Sequence, residues 1–282
     1  MWALLPLTAG PALAAGLDPR SGPVRDVASV LLWLGWAAAL VAMLVPSTIS
    51  LTLLRLATPA ALAATAAAAL THLPSTLAAS TATVSAAIAV AVAYVPETAL
   101  LYVNGRSYPN ERRLPLRSPG PLAFGPLPLA WALTVGGPMA AVLLLAAHAW
   151  IAGALIAVIS LPTTWLLGRA LHGLSRRWVV FVPAGLVLHD PITLLDPVLF
   201  ELKVIESIGP APAGSDSLDL TQGSRGLALE LLLKDKVPMT LSKPGTHTGE
   251  SGSSARLLFT PSRPGLVLQE ADARRIPLSL PG

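Results

Sequence analysis

Residues 27–45 read VASVLLWLGWAAALVAMLV and contain no charged side chain. A helix rises about 1.5 Å per residue, so about 20 apolar residues cross the ~30 Å hydrocarbon core of a bilayer. We therefore predict a membrane-spanning helix here. Further spans are predicted at 49–70, 77–95, 122–147 and 150–167. Five such stretches exceed what a soluble core supplies, which makes buried core helices of a large soluble protein the weaker alternative.

The composition of the 282-residue chain favours the same class of protein. Hydrophobic residues make up 53% of the chain and charged residues 12%, whereas an ordinary soluble domain contains about 25% charged residues. This composition argues against a wholly soluble chain, and the high apolar content argues against disorder throughout. The chain has no cysteine, which excludes disulfides, thiolate metal sites and cysteine nucleophiles.

The distribution of charge divides the chain near residue 174. Residues 1–174 contain eight arginines and four acidic residues, whereas residues 175–282 contain eleven basic and eleven acidic residues. We therefore predict a helical membrane domain over 1–174 and a water-soluble domain over 175–282. The apolar segment 1–16 leaves several alternatives open: a sixth span, a segment at the membrane interface, a loosely ordered start, or a cleaved signal peptide.

Arginine placement predicts how the spans are oriented. Short cytoplasmic loops are rich in arginine and lysine, and the segment 96–121 carries four arginines. The turn at 71–76 and the turn around His148 carry no arginine or lysine. We therefore expect a multi-pass protein of the bacterial plasma membrane, with the segment 96–121 and the C-terminal domain in the cytoplasm. Arg55 would then reach the cytoplasmic interface with its long side chain.

Small residues and one proline predict how the spans pack. Alanines recur at four-residue spacing in the second span, at Ala60, Ala64 and Ala68, which favours close helix packing. An alanine-lined substrate path is the alternative. The sequence Gly136-Gly137-Pro138 is expected to kink or break the fourth span, and such breaks can mark a transporter binding site.

From Trp178 the hydrophobic period changes from that of helices to that of strands. Antiparallel strands are predicted at 178–182, 185–189, 200–208, 227–233, 237–241 and 256–259. Residues 263–276 predict a C-terminal helix, which Pro277 ends. Two polar segments, 210–217 and 243–254, are predicted to be loops because they are rich in glycine, serine and proline.

The C-terminal domain resembles a bacterial pleckstrin-homology-like (PH-like) domain that follows transmembrane helices. The residues that carry the resemblance are the first strand Arg177-Trp178-Val179-Val180-Phe181, the second strand Gly185-Leu186-Val187-Leu188, and Phe259-Thr260-Pro261 before the helix. The resemblance covers about a third of the chain. It implies a β-rich fold of antiparallel strands with a C-terminal helix, and it implies no catalytic residues.

No familiar catalytic template occurs in the sequence. The chain lacks a phosphate-binding P-loop, a dinucleotide fingerprint, a zinc-protease motif and a nucleophile elbow. We therefore expect a non-enzymatic protein without a cofactor or metal. His72 and His148 fall at the two outer turns, where a shared metal or proton site is the alternative to histidines that face water or headgroups.

The most distinctive polar segment, residues 103–113, reads VNGRSYPNERR. Basic residues beside a membrane gain about 1 kcal/mol each from anionic lipid. The segment would therefore dock onto headgroups or onto the acidic surface of the C-terminal domain, or its arginines would only set the membrane topology. The predicted contact residues are Asn104, Arg106, Arg112 and Arg113. Nucleic-acid binding is not expected, because residues 175–282 have no net charge.

These features together predict a membrane-anchored scaffold or regulatory subunit. Its expected partners are membrane lipids and either other membrane protein subunits or further copies of itself. The alternative is a small oligomeric transporter or channel component, which would need several polar groups inside the bundle. The spans contain few such groups, chiefly serine and threonine, and this favours the scaffold.

Overall fold

The computed structural model describes residues 2–123, 125–242 and 249–279. The chain divides into two compact units. The membrane unit comprises Met1–Tyr102 and Pro128–His172, and the β unit comprises Val103–Leu127 and Gly173–Gly282. The β unit is thus assembled from two separate parts of the chain, so the chain passes between the units three times rather than once near residue 174.

Among the described residues, nine α-helices precede residue 175. They are α1 (Leu5–Thr8), α2 (Gly10–Leu17), α3 (Gly22–Leu44), α4 (Thr48–Leu70), α5 (Thr76–Tyr94), α6 (Pro96–Asn104), α7 (Gly120–Ala123), α8 (Pro126–Ala146) and α9 (Trp150–Leu174). Five of them, α3, α4, α5, α8 and α9, are long and apolar enough to cross a membrane. The prediction of five apolar helices in the N-terminal part of the chain is confirmed, and such helices indicate a multi-pass membrane protein.

The N-terminal segment forms short helices that are packed within the membrane unit. The helices α1 and α2 together extend over about 20 Å, which is too short to cross a ~30 Å core. The Nε1 group of Trp2 donates a hydrogen bond to the Trp36 carbonyl at 3.0 Å, and Trp36 Nε1 donates to the Trp2 carbonyl at 3.1 Å. Gly16 lies directly against Ala68 of α4. The segment therefore contacts α3 at its first residues and then packs against α4 and α5.

Pro59 lies inside α4 without ending the helix. Proline has no N–H group, so it leaves the carbonyl four residues earlier, that of Arg55, without its helical donor. The Tyr94 hydroxyl of α5 donates to this carbonyl at 3.0 Å. The Arg55 guanidinium carbon also lies 5.6 Å from the centre of the Tyr94 ring. One side chain thus compensates for the proline and contacts the only charged residue of this helix.

Pro138 has the same consequence in α8, which continues through Gly136-Gly137-Pro138. It frees the carbonyl of Thr134, and the Thr164 hydroxyl of α9 donates to that carbonyl at 3.2 Å. A break of this helix was one of the two alternatives predicted from the sequence, and it does not occur. A hydroxyl from a neighbouring helix replaces the missing donor, as is usual for proline within membrane helices.

In the described part of the β unit, eight strands form two four-stranded sheets. The first sheet has the order β1 (Arg112–Pro115), β2 (Trp178–Val182), β3 (Gly185–His189) and β4 (Val198–Glu201), and all its pairs are antiparallel. The second has the order β5 (Ile205–Pro210), β7 (Leu229–Ser242), β8 (Gly249–Phe259) and β6 (Leu218–Asp219). The strands β6 and β8 pair in parallel, and the other pairs of this sheet are antiparallel. The helix α10 (Pro264–Ala273) follows.

These strands and the C-terminal helix confirm the prediction of a β-rich region at this end of the chain. Several details differ from the sequence-based expectation. The strands β1 and β6 were not predicted, and the predicted strand 200–208 is divided between β4 and β5. The predicted strands 227–233 and 237–241 belong to one strand, β7, and residues 249–254 belong to β8 although they were predicted to be part of a loop. The rest of that predicted loop, residues 243–248, lies outside the described residues.

The core of the β unit draws large apolar side chains from both sheets and from the helix. Fully buried members include Phe181, Phe200, Ile208, Leu231, Leu257 and Phe259. Each such side chain stabilises the fold by about 1.5–3 kcal/mol relative to an exposed position. Val267 and Ala271 of α10 are also fully buried, which fixes the C-terminal helix to the unit.

Candidate functional site

Asn104, one of the four predicted contact residues, ends α6 and binds the backbone of β1. Its Nδ2 group donates to the Arg113 carbonyl at 2.7 Å, and its Oδ1 accepts from the Arg113 N–H at 2.9 Å. An amide side chain that makes both bonds imitates a neighbouring strand, so it satisfies part of the free edge of β1. The pair closes the base of a loop over residues 105–112, which we call the basic loop.

Arg113 is held by several groups of the β unit. Its Nε and Nη2 donate to the two carboxylate oxygens of Glu111 at 2.8 and 3.2 Å. These bonds hold the pKa of Glu111 below its ordinary value, although partial burial acts in the opposite direction. The Arg113 guanidinium carbon lies 5.6 Å from the centre of the Trp178 ring. Arg113 is therefore a structural residue of the loop base, and its docking role stays a prediction.

Trp178 is stacked between Arg113 and His189. The ring centres of Trp178 and His189 are 4.8 Å apart and their planes differ by 12°. His189 Nδ1 lies 2.7 Å from the Arg176 carbonyl, which only accepts hydrogen bonds, so this nitrogen carries the proton. Burial lowers the pKa of His189, and the bond to Arg176 offsets this only in part. The histidine is therefore neutral near pH 7.

The other two predicted contact residues, Arg106 and Arg112, are exposed on the basic loop. Tyr108 between them exposes 77% of its surface. Arg112 begins the edge strand β1, opposite Phe181 in the register. The four predicted residues thus separate into two that close the loop and two that the loop presents to its surroundings. Guanidinium groups suit carboxylates and phosphates, because their planar N–H donors match both kinds of oxygen pair.

A buried ion pair that the sequence analysis did not predict joins β2, β3 and the segment after β1. Arg177 Nε and Nη2 each donate to an oxygen of Asp190 at 2.7 Å, and Nη1 donates to the Arg117 carbonyl at 2.7 Å. The two side chains are only 2% and 1% exposed. The hairpin pattern contained a signal for this pair, because Trp178 opposite His189 places Arg177 next to Asp190.

His72 and His148 each follow the end of a membrane helix in the left-handed backbone region, with φ of 57° and 62°. The His72 N–H donates to the Ala69 carbonyl and the His148 N–H to the Leu145 carbonyl, at 3.1 and 3.0 Å. These bonds satisfy carbonyls that a helix end leaves free. Histidine tolerates this conformation better than most residues. Each histidine thus has a structural role, and the shared site stays a prediction.

The membrane unit contains an open cavity of about 640 Å³. Its wall includes Trp2, Trp33 and Trp36 together with residues of α2, α4, α8 and α9. Ala60 and Ala64, which were predicted to pack helices, lie in this wall, so their small side chains leave space rather than bring two helices together. Ala68, the third alanine of the series, packs helices as predicted, because it lies directly against Gly16 of α2. The series is therefore divided between helix packing and the cavity wall.

Known proteins give no indication of the function of this chain. No known family model matches the chain, no curated protein is similar to it, and no solved structure matches it. Among the described residues, no three histidine or acidic side chains are grouped so that they could hold a metal ion. The basic loop and the cavity of the membrane unit are therefore the two candidate functional sites.

Proposed function

We propose that the protein is a membrane-anchored, non-enzymatic scaffold or regulatory subunit whose β unit binds an acidic protein partner or an anionic membrane surface. The observation that carries this proposal is the basic loop. Its base is closed by Asn104 and Arg113, and its edge strand is paired with β2. Arg106, Tyr108 and Arg112 are nevertheless exposed.

A loop that is closed before binding loses less conformational freedom when a partner arrives. Arg106 and Arg112 are exposed and can bind such a partner, whereas Arg113 is already paired with Glu111. Each basic residue near an anionic lipid surface adds about 1 kcal/mol. An acidic protein surface would use the same donors, so the loop suits subunits of a membrane complex or a second copy of this chain.

We also propose the side of the membrane on which the β unit lies and the fold family to which it belongs. We place the β unit in the cytoplasm of a bacterial plasma membrane, because residues 103–127, which belong to it, carry four of the eight arginines of residues 1–174. Two sheets followed by one C-terminal helix agree with the PH-like resemblance. A reporter that works only in the cytoplasm should be active when it is fused to the C-terminus. Activity of a reporter that works only outside the cytoplasm would contradict this orientation.

Charge reversal in the basic loop tests the binding role. Native membranes containing wild type or the variant Arg106→Glu/Arg112→Glu would be cross-linked, and the captured proteins and lipids quantified by mass spectrometry. The matched control is Lys234→Glu/Lys236→Glu, which makes the same charge change at exposed positions of β7. We expect the loop variant alone to lose its acidic partner or its enrichment of anionic lipid. Equal capture by all three proteins would contradict the proposal.

A transporter or channel component is the second candidate, because the membrane unit contains a cavity. The hydroxyls of Thr65 and Thr134 in its wall donate to carbonyls of their own helices, at 2.9 and 2.7 Å. They are therefore engaged in local bonds, which favours the scaffold. Proteoliposomes should be no more permeable to ions and small solutes than protein-free liposomes, and specific solute release would favour the second candidate.

A further inference from the structure

We propose that the cavity of the membrane unit is a binding site for one acyl chain of a membrane phospholipid. The site is independent of the docking role of the basic loop. The cavity has a volume of about 640 Å³, and none of the residues in its wall carries a charge. Cavities of about 300–1,000 Å³ with mostly apolar walls are typical of ligand sites.

Five polar side chains of the wall already donate hydrogen bonds within the protein, and the two others are the Ser29 hydroxyl and the indole of the exposed Trp33. The indole N–H groups of Trp2 and Trp36 donate to each other's backbone carbonyls. The hydroxyls of Thr65, Thr134 and Thr164 donate to backbone carbonyls as well. An occupant therefore meets mainly hydrocarbon and aromatic surface. A polar ligand would lose its hydrogen bonds on entering, whereas a hydrocarbon chain loses none.

The dimensions of the cavity suit a hydrocarbon chain. Its wall extends along α4 from Leu53 to Thr65, which corresponds to about 18 Å. A volume of about 640 Å³ along this length is an elongated space. Carbon atoms in contact are about 3.5–4 Å apart, so a single extended chain fits.

The surroundings of the membrane unit supply this occupant. Trp33 exposes 57% of its surface at the edge of the cavity, and Gly35 beside it is exposed too. The opening therefore meets lipid when α3 spans a bilayer. Lipid tails are as apolar as the wall, so the chain is held by close contact and shape rather than by escape from water.

The wild-type protein provides the first test. The full chain would be purified in detergent with a phospholipid that carries a photoreactive diazirine in one acyl chain. Detergent dilutes the bulk lipid, so the labelling of a site saturates, whereas that of lipid-facing surface rises in proportion to the probe. We expect saturable labelling of Ala57, Ala60 and Ala64, with one lipid per protein, and proportional labelling of the exposed Val84 and Ile88 of α5.

Two glycine variants provide the second test. A Cβ at Gly35 would meet no atom within 4 Å, so Gly35→Leu fills the cavity without a clash of that atom. Gly136 is also a helix residue with open space around its Cβ, and it is exposed and outside the cavity wall. Gly136→Leu is therefore the matched control. We expect Gly35→Leu to lose the saturable labelling and Gly136→Leu to retain it.

The following results would overturn the proposal. If labelling of the cavity is proportional to the probe, or persists in Gly35→Leu, there is no acyl-chain site. A cavity that is unlabelled, together with a change of oligomeric mass in Gly35→Leu, would indicate a protein occupant and would also overturn the proposal. Gly10→Leu fills the cavity from α2 and replaces the first variant if that protein does not fold. The saturation curve of the wild type decides the question even without variants.

Discussion

Replacement of Asp190 by asparagine is expected to destabilise the first sheet of the β unit by about 3–5 kcal/mol. Asparagine keeps the shape of the side chain but removes the charge that faces the Arg177 guanidinium. That guanidinium is almost completely buried, and two of its hydrogen bonds, both 2.7 Å long, run to the carboxylate of Asp190. An unpaired charge would then remain in the protein interior, and such a charge lowers the free energy of unfolding strongly.

The double variant Arg177→Met/Asp190→Leu should recover most of this loss. Apolar side chains of similar volume often replace a buried ion pair at little cost, because no charge has to leave water. The double variant and its two single variants, Arg177→Met and Asp190→Leu, form a thermodynamic cycle, and we expect a coupling energy close in magnitude to the sum of the two single losses. High salt should change neither value much, because buried charges are poorly screened.

Hydrogen exchange of the amides in β2 and β3, measured on the full chain in lipid nanodiscs, checks this prediction. A loss of about 3 kcal/mol accelerates exchange through local opening by more than about 100-fold. The control is Glu201→Gln, which breaks an equally short but exposed pair with Lys203 in the same sheet. We expect no measurable change there. If Asp190→Asn exchanged as slowly as this control, the reasoning about burial would be refuted.

Three further predictions concern single side chains. Tyr94→Phe keeps the ring but removes the donor to the Arg55 carbonyl, so we expect a loss of about 1 kcal/mol in thermal unfolding. The loss should shrink in a Pro59→Ala background, where the helix supplies its own donor. Asn104→Ala removes two bonds to β1 and should expose the basic loop to protease at a cost of about 1–3 kcal/mol, whereas unchanged cleavage would refute this role. Because burial lowers the pKa of His189, the unfolded chain binds its proton more readily, so stability should fall as the pH drops below about 6.5. Hydrogen exchange at several pH values would show this dependence, and His189→Gln should lack it.

The membrane helices were predictable because every residue of a span contributes to its hydropathy. The predicted stretches 49–70 and 77–95 differ from α4 and α5 by at most one residue at each end. The helix α3 begins at Gly22, five residues before the predicted span, and α9 continues seven residues beyond it. Hydropathy marks the part of a helix that lipid covers, whereas backbone hydrogen bonding continues past that limit.

The strand β1 was not predictable in the same way. It has four residues, two of them arginines, and its partner β2 begins more than sixty residues later in the chain. Residues 249–254, rich in glycine and serine, form part of β8 for a similar reason, because they pair with residues 237–242 of β7. Strand preference depends on the neighbouring strand more than on local composition. His72 and His148 likewise marked helix ends, although their sequence suggested only exposed turns.

The divided origin of the β unit constrains the order in which the protein can be completed during synthesis. The basic loop and β1 leave the ribosome before α8 and α9, but they can join the first sheet only after β2 has followed. Until then, β1 has an unpaired edge. A shortened protein that starts at residue 173 would carry the reciprocal defect, because β2 would become an open edge that invites aggregation. Biochemical work on the soluble part should therefore keep the two membrane helices that connect its pieces.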